Sequence, residues 1–239
     1  MSSNWVFPIS GLSFMIEEYL IRGVKMKITI IYDNTSFRED LLADWGFSCL
    51  VEDDEGHTIL FDTGTNGAIL LSNMEKLSID PAQVDEIFIS HAHFDHIGGL
   101  SMFLNKNSEV KIYCPESLRG VRGAKEVIKV AGDSVQMHEN IYSTGELEQV
   151  EQSMAVKTLK GVVLVVGCSH PKMSGILDAA KRFGNIYAII GGMHGFRDFD
   201  LFRGMELICP THCTQYIKEI QSLYPDAYMQ GGAGRIIEL

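Results

Sequence analysis

The feature that most constrains this chain is a run of three histidines and one aspartate within six residues. Residues 91–96 read His-Ala-His-Phe-Asp-His, directly after an apolar segment at 87–89. Alternate side chains of an extended segment point the same way, so His91 and His93 can face one cation. As the chain turns, Asp95 and His96 can reach a second position. The alternative, a polar loop rich in histidine by chance, fits poorly in a chain with 8 histidines.

Three more histidines stand where apolar runs give way to loops. His170, His194 and His212 each come within a few residues of a Val- or Ile-containing run. Singly, each is more often an ordinary surface or core histidine, but α/β proteins place binding groups at strand ends. Together with residues 91–96 they predict a metal centre of zinc, with iron or manganese as alternatives. His57 and His138 lack this context and are predicted to lie on the surface.

Charge and hydropathy narrow the range of partners. The chain has 239 residues, 31 acidic against 20 basic, and a formal net charge of -11. A negative field repels phosphate backbones, so we expect a small-molecule substrate rather than nucleic acid. No apolar run approaches the roughly 18 residues of a membrane span, and no secretion signal is apparent. We therefore expect a cytoplasmic protein without a membrane partner; the sequence leaves its oligomeric state open.

The cysteines show no disulfide pattern. There are 5 of them, an odd number, and no two are spaced as a CxxC pair. Free thiols in a reducing compartment are the expected reading. Cys209 and Cys213 flank His212, which keeps a minor alternative open in which one of them binds metal.

Short apolar runs alternate with amphipathic segments along the whole chain, which predicts one α/β domain. We place the domain at residues 26–239 and treat residues 1–25 as an N-terminal extension. Residues 115–160 look least regular and are predicted to form either a lid over a site or a surface excursion. The predicted strands are Lys27–Tyr32, Phe47–Glu52, Thr58–Phe61, Glu86–Ile89, Val110–Cys114, Val162–Val166, Ile186–Ile190 and Leu207–Cys209. The predicted helices are Phe37–Asp44, Asn66–Leu77, Ser101–Asn105, one from a Ser174 cap to Gly184, and Gln215–Leu223 with a Thr214 cap.

From Met26 onward the sequence resembles the metallo-β-lactamase superfamily. Its landmarks occur in that family's order: the stretch Leu60–Gly64, the run at 91–96, then His170 and His212. The likeness is stronger to one prokaryotic branch, through Asp33-Asn34, residues 45–48, and the runs that carry His170, His194 and His212. Archaeal members of that branch include dihydropterin-ribofuranosylaminobenzene phosphate synthases; others are β-lactamase-like hydrolases.

The resemblance implies a fold and a set of roles. The fold would be a four-layer αβ/βα sandwich of two mixed β-sheets, with helices outside and metals at one edge. One metal would be held by His91, His93 and His170, and a second by Asp95, His96 and His212. A metal-bound hydroxide would be the nucleophile, with Asp95 catalytic as well as ligating. Asp62 would support a ligating histidine from behind, although a plain turn aspartate is the alternative.

Two positions are less settled. Many superfamily members carry a bridging aspartate where this chain has His194, and an imidazole cannot bridge two ions through oxygen. His194 would then be a metal ligand or a proton donor. Asn34 is a candidate substrate contact, and an Asx turn is an equally good reading.

The resulting functional hypothesis is a metal-dependent hydrolase. Its substrate would be small and anionic, or a phosphorylated pterin- or folate-like compound. Two alternatives stay open: a non-catalytic metalloprotein that binds a pterin-like ligand, and an iron-dependent redox enzyme on the same fold. His93 argues against the second, since di-iron relatives typically have glutamate there.

Overall fold

Two mixed β-sheets lie face to face in the computed structural model, which describes residues 24–239. The first sheet has seven strands in the order β13-β1-β2-β3-β4-β5-β6, and the second has six in the order β12-β11-β10-β9-β8-β7. The strands are β1 Met26–Tyr32, β2 Ser48–Asp53, β3 Thr58–Phe61, β4 Glu86–Phe88, β5 Lys111–Pro115, β6 Glu126–Val130, β7 Val135–Gln136, β8 Ile141–Ser143, β9 Met154–Thr158, β10 Gly161–Val166, β11 Ile186–Gly192, β12 Leu207–Thr211 and β13 Ile236–Glu238.

The outer layers are helical. The helices are α1 Gly67–Lys76, α2 Phe94–Ile97, α3 Leu100–Leu104, α4 Met173–Lys181 and α5 Ile217–Leu223, with two 3-10 turns at Pro81–Gln83 and Phe199–Phe202.

Strand β10 shows how the layers are held together. Val163 and Val165 point into the core between the two sheets, whereas Val162, Leu164 and Val166 join a separate core under α4 and α5. Period-two alternation sends neighbouring side chains to opposite faces, so an all-apolar strand must be covered on both. Helices α1 and α3 cover the outer face of the first sheet in the same way. The predicted four-layer α/β sandwich is thus confirmed, and the eight predicted strands are all present within a few residues of their expected bounds.

The helix predicted at Phe37–Asp44 is wrong. Those residues form turns and bends. The backbone of Leu42 pairs instead with the buried side chain of Asn73, which accepts from its N–H at 2.9 Å and donates to its carbonyl at 2.8 Å. Phe37 and Leu42 stay exposed while Leu41 is buried. The apolar spacing looked helical, but it does not correspond to one buried face.

Both predicted helix caps are also wrong. Helix α4 begins at Met173 with Lys172 as its cap residue, so Ser174 lies inside the first turn, and the helix ends before Gly184. Helix α5 begins at Ile217. The Thr214 hydroxyl donates to the carbonyl of Thr211 and accepts from the N–H of Met193. It therefore ties β12 to the segment after β11 rather than starting a helix.

Residues 115–160 are neither a lid nor a surface excursion. They supply β6 to the first sheet and β7, β8 and β9 to the second. Gln152 then links the two sheets, because its amide donates to the carbonyl of Ile89 at 2.8 Å and its backbone N–H donates to Ser90 at 2.9 Å. The short strands and scattered charge concealed this connection in the sequence.

Most of the predicted N-terminal extension lies outside the described residues. Of its last two residues, Val24 is buried in the core between the sheets, and the N–H of Lys25 donates to Asp54 at 3.2 Å. The domain boundary at Met26 stays a prediction. Among residues 24–239, no helix has the length and apolar character that crossing a bilayer requires.

Candidate metal centre

The predicted site residues gather at one edge of the sandwich because their strands end there. Strands β3 and β4 run parallel in the first sheet, and β10, β11 and β12 run parallel in the second. The carboxyl ends of parallel strands meet at the same edge, where α/β proteins form their sites. Asp62 follows β3, and His91 comes shortly after β4. His170, His194 and His212 follow β10, β11 and β12.

His91, His93 and His170 form the first group. Their candidate ligand atoms all lie within 4.8 Å of one another, and Nε2 of His91 is 3.1 Å from Nε2 of His170. Two nitrogens bound to one tetrahedral zinc ion at about 2.0–2.1 Å are roughly 3.3 Å apart. His91 is fully buried, whereas His93 is exposed to solvent. The donor set fits one cation that is reached from the side of His93.

Asp95, His96 and His212 form the second group, again within 4.8 Å. Nε2 of His212 is 3.1 Å from Oδ2 of Asp95, and Nε2 of His96 is 4.0 Å from the same oxygen. His96 is fully buried and its ring centroid is 4.1 Å from that of His91. The two groups therefore adjoin through these two histidines, as neighbouring cation positions would require.

Asp62 organises both groups from beneath. It is fully buried, and its Oδ2 accepts from the Ser90 hydroxyl at 2.6 Å and lies 2.7 Å from Nδ1 of His96. Because the hydroxyl has one proton and gives it to the carboxylate, Ser90 must accept from Nδ1 of His91, 2.9 Å away. One carboxylate thus sets the tautomer of two histidines and leaves both Nε2 atoms free to bind metal.

His212 is held in the same tautomer by Asn34. Nδ1 of His212 is 2.9 Å from Oδ1 of Asn34, and the Asn34 amide donates to the carbonyl of His212 at 2.9 Å. The buried Asp33 accepts from the backbone N–H of His212, and burial raises the pKa of Asp33 to about 6. Asn34 therefore orients a predicted ligand; its contact with a substrate stays a prediction. The sequence singled out Asn34, but it did not predict the contact of Asn34 with His212, 178 residues away.

Glu151 is a site residue that the sequence did not reveal. Its buried carboxylate accepts four backbone N–H groups, three at Oε1 from residues 167–169 and one at Oε2 from His170 at 2.9 Å. Burial raises its pKa, although these hydrogen bonds oppose the shift. The carboxylate fixes the loop that carries His170. An isolated glutamate in an irregular stretch gives no sequence signal of this role.

Two exposed aromatic residues border the site. The indole N–H of Trp45 donates to Oδ2 of Asp95 at 2.9 Å, and its ring packs edge-on against His212 with centroids 5.1 Å apart. Trp45 is 57% exposed and Phe94, next to Asp95, is 68% exposed. Exposed rings beside a polar cluster provide an apolar rim on which a flat ligand could stack.

Backbone strain is concentrated at the same edge. Asp62, Ser169, His194 and His212 all adopt left-handed conformations, with φ of 54°, 61°, 40° and 47°. Such conformations cost L-residues roughly 1–2 kcal/mol each and persist where surrounding contacts enforce them. The ring of His194 is thereby turned toward His170, with centroids 4.6 Å apart.

The protonation states suit metal binding. Burial lowers the pKa of His170 to about 4 and that of His212 to about 3, and it lowers the pKa of His91 and His194 as well. Burial also acts to lower the pKa of His96, but the adjacent Asp62 outweighs it and raises the net pKa. Most of the cluster is therefore neutral at pH 7, the form in which imidazole binds a cation.

Burial acts to raise the pKa of Asp95, but nearby groups, His96 first among them, outweigh it and the net pKa is lowered. Asp95 is therefore ionised at neutral pH, as a metal ligand must be.

The cysteines and the two remaining histidines differ in how close they lie to the cluster. Cys209 lies in the core between the sheets, whereas the thiol of Cys213 is within 4.8 Å of a ligand atom of His212. Cys168, which the sequence did not single out as a ligand, lies inside the cluster, with Sγ 3.1 Å from Nε2 of His96. His57 and His138, predicted to lie on the surface, are partly buried and stacked on each other.

Comparison with known proteins was consistent with this arrangement. The family model described as the metallo-β-lactamase superfamily matches residues 46–164. Among curated proteins, the chain is 27% identical over 283 residues to a 7,8-dihydropterin-6-methyl-4-(β-D-ribofuranosyl)-aminobenzene-5'-phosphate synthase of Methanocaldococcus jannaschii, a match that covers 88% of this chain and 95% of that protein.

Two solved structures share most of the fold. One is a metal-dependent hydrolase of the β-lactamase superfamily, 25% identical with a TM-score of 0.69; the match covers 90% of this chain and 99% of the other. The second is the metallo-β-lactamase fold protein YhfI of Bacillus subtilis, 16% identical with a TM-score of 0.67, covering 90% and 100% of the two chains. At 16% identity the second likeness concerns the fold alone.

Proposed function

We propose that this chain, which belongs to the metallo-β-lactamase superfamily, is a metal-dependent hydrolase of a small anionic substrate. One observation carries the proposal: the side chains of His91, His93 and His170 adjoin those of Asp95, His96 and His212 at a single edge of the sandwich. The imidazole tautomers set by Asp62 and Asn34 direct free Nε2 atoms inward. Such a donor set is suited to zinc, and also to iron or manganese.

Each group of ligands would hold one cation. Bound divalent metal lowers the pKa of coordinated water from 15.7 to about 7 and polarises a carbonyl or phosphoryl oxygen. Asp95 keeps its carboxylate ionised, and its Oδ2, to which Trp45 donates, lies 3.1 Å from Nε2 of His212. The lowered pKa of His194 favours a neutral ring at pH 7. Of its two predicted roles, that supports metal ligand over proton donor.

The substrate class follows from the rim and the charge. The net charge of -11 repels anions, so an anionic group must be drawn in by cations at the site itself. Trp45 and Phe94 offer exposed rings beside that position. A phosphorylated compound with a flat heterocycle satisfies both features. The pterin and phosphate in the name of the relative from Methanocaldococcus jannaschii support the same class.

We also propose that the protein works in the cytoplasm. All five cysteines are free and buried, which is typical of proteins kept in a reducing compartment.

A substrate panel tests the proposed reaction. Purified protein should hydrolyse members of a set of phosphomonoesters, cyclic phosphodiesters, lactones and thioesters. Chelator should abolish this activity and added zinc should restore it. The double variant H57A/H138A serves as control, since those histidines lie outside the centre, and should stay active. Metal-bound protein that binds a pterin phosphate but turns over no ester would instead be a binding protein. Activity that needs oxygen and iron would make it a redox enzyme.

A further inference from the structure

The thiol of Cys168 occupies the space between the two groups of predicted ligands. Its Sγ lies within 4.8 Å of ligand atoms of His91 and His96, and also within that distance of His170 and His194. It meets the same criterion with His212. Cys168 is 2% exposed, so the thiol faces the cluster and not solvent. It therefore reaches histidines from both cation positions.

The distance from Cys168 to His96 suits two donors of one cation. A zinc ion binds sulfur at about 2.3 Å and imidazole nitrogen at about 2.0–2.1 Å, which puts the two donors roughly 3.5 Å apart. Sγ of Cys168 is 3.1 Å from Nε2 of His96, whose Nδ1 is already engaged by Asp62. Without metal this contact is a hydrogen bond between the thiol and the ring nitrogen, which a cation bound to both atoms would replace. The loop itself is fixed, because the N–H of Cys168 donates to Glu151 at 3.0 Å.

The charge balance of the predicted centre gives a reason for a thiolate at this position. Two divalent cations in one centre lie about 3.5–4 Å apart and repel each other strongly. Among the six predicted ligands only Asp95 is anionic, and His194 stands where a bridging aspartate was expected. A thiolate between the two positions would supply the missing negative charge.

We propose that Cys168 binds as a thiolate shared by both cations, in the place of the absent bridging carboxylate. This rests on the metal centre proposed above. A divalent cation deprotonates a coordinating thiol outright and releases its proton.

Cobalt(II) substitution tests the assignment without any substrate. Metal-free protein, kept reduced with a phosphine, is loaded with cobalt, and the thiolate-to-cobalt charge-transfer band is recorded in the near ultraviolet. Wild type should show the band, and both C168A and C168S should lose it. Competition with a chromophoric chelator should show the second metal equivalent weakened by roughly tenfold or more in both variants.

The matched control is C209A, which removes a buried thiol in the core between the sheets, so the band should stay in place. The discriminating variant is C213A: its thiol lies within 4.8 Å of Sγ of Cys168 and of a ligand atom of His212, and the assignment to Cys168 expects the band to persist without it. Circular dichroism shows whether each variant is folded, and C168S covers the case in which alanine unfolds the chain.

Three results would overturn the assignment: wild type that binds cobalt without the band, C168A or C168S that retains it, or C213A that abolishes it. Wild type that binds no cobalt or zinc at all would instead refute the proposed metal centre, and this assignment with it.

Discussion

Among residues 24–239 the histidines fall into two groups, the stacked pair of His57 and His138 and the predicted metal centre at the strand-end edge. His57 and His138 stack with ring centroids 3.6 Å apart, and each has its own carboxylate: Asp53 lies 2.7 Å from Nδ1 of His57, and Glu86 lies 2.9 Å from Nε2 of His138. Each of these ring nitrogens is engaged by its own carboxylate. At the strand-end edge the carboxylate lies behind the rings, and the Nε2 atoms of His91 and His170 come within 3.1 Å.

The predicted metal centre therefore differs from the stacked pair in where its carboxylates lie, and not in the presence of histidines. Asp62 binds the outer nitrogen of His96 directly and that of His91 through Ser90, which leaves their inner nitrogens free. At the stacked pair, Asp53 and Glu86 each engage one ring nitrogen, and the two contacts go to different carboxylates. The predictions below test this contrast, from the largest expected effect to the smallest.

Replacing the histidines themselves should abolish metal binding for one group and leave it unchanged for the other. The double variant H91A/H93A removes two of the three ligands of the first group, so elemental analysis should find its bound metal lost. The double variant H57A/H138A should keep the wild-type metal content. If H91A/H93A retained full metal content, the ligand assignment would be wrong.

Replacing the carboxylates should have a smaller effect on metal affinity, and this effect should still differ between the two groups. In D62N the amide N–H₂ must face either the Ser90 N–H or Nδ1 of His96, both of which are donors in the wild type. We expect metal affinity to fall by about 10- to 100-fold. D53N is the matched control: it removes the negative charge 2.7 Å from Nδ1 of His57, so its thermal midpoint should fall slightly, but its metal affinity should not change. Equal metal affinities in D62N and D53N would remove the distinction.

Removing the indole donor of Trp45 should have the smallest effect. W45F keeps an aromatic ring but loses the hydrogen bond to Oδ2 of Asp95. Since Trp45 is 57% exposed, water can replace part of that interaction. We expect the second metal equivalent to weaken by less than about tenfold, because a hydrogen bond to a charged group contributes about 1.5–3 kcal/mol and water recovers part of it. Chelator competition measures this, and a change in the first equivalent instead would mean that Trp45 acts on the other group.

The sequence predicted those parts of the site that are local or that end a strand. Residues 91–96 could be predicted because their close spacing in the sequence already places their side chains near one another. His170, His194 and His212 could be predicted because each follows a buried strand that is recognisable in the sequence. Their meeting at one edge follows from the parallel direction of those strands, which the sequence pattern suggested only through the family resemblance.

The supporting contacts could not be predicted because they join residues distant in the chain. Glu151 accepts from residues 167–170, which follow the β9-β10 hairpin, and Asn34 pairs with His212 over 178 positions. Neither pair has a periodic signal. The mistaken helix at 37–44 has a related cause: the backbone of Leu42 is paired with the Asn73 side chain, a tertiary contact that overrides local preference.

Anomalous diffraction from crystals of zinc-loaded protein tests the central claim most directly. Two zinc peaks are expected at the strand-end edge. One should lie among His91, His93 and His170, and the other among Asp95, His96 and His212. The stacked pair of His57 and His138 should show no peak. A peak at that pair, or zinc-loaded crystals without density at the strand-end edge, would contradict the account.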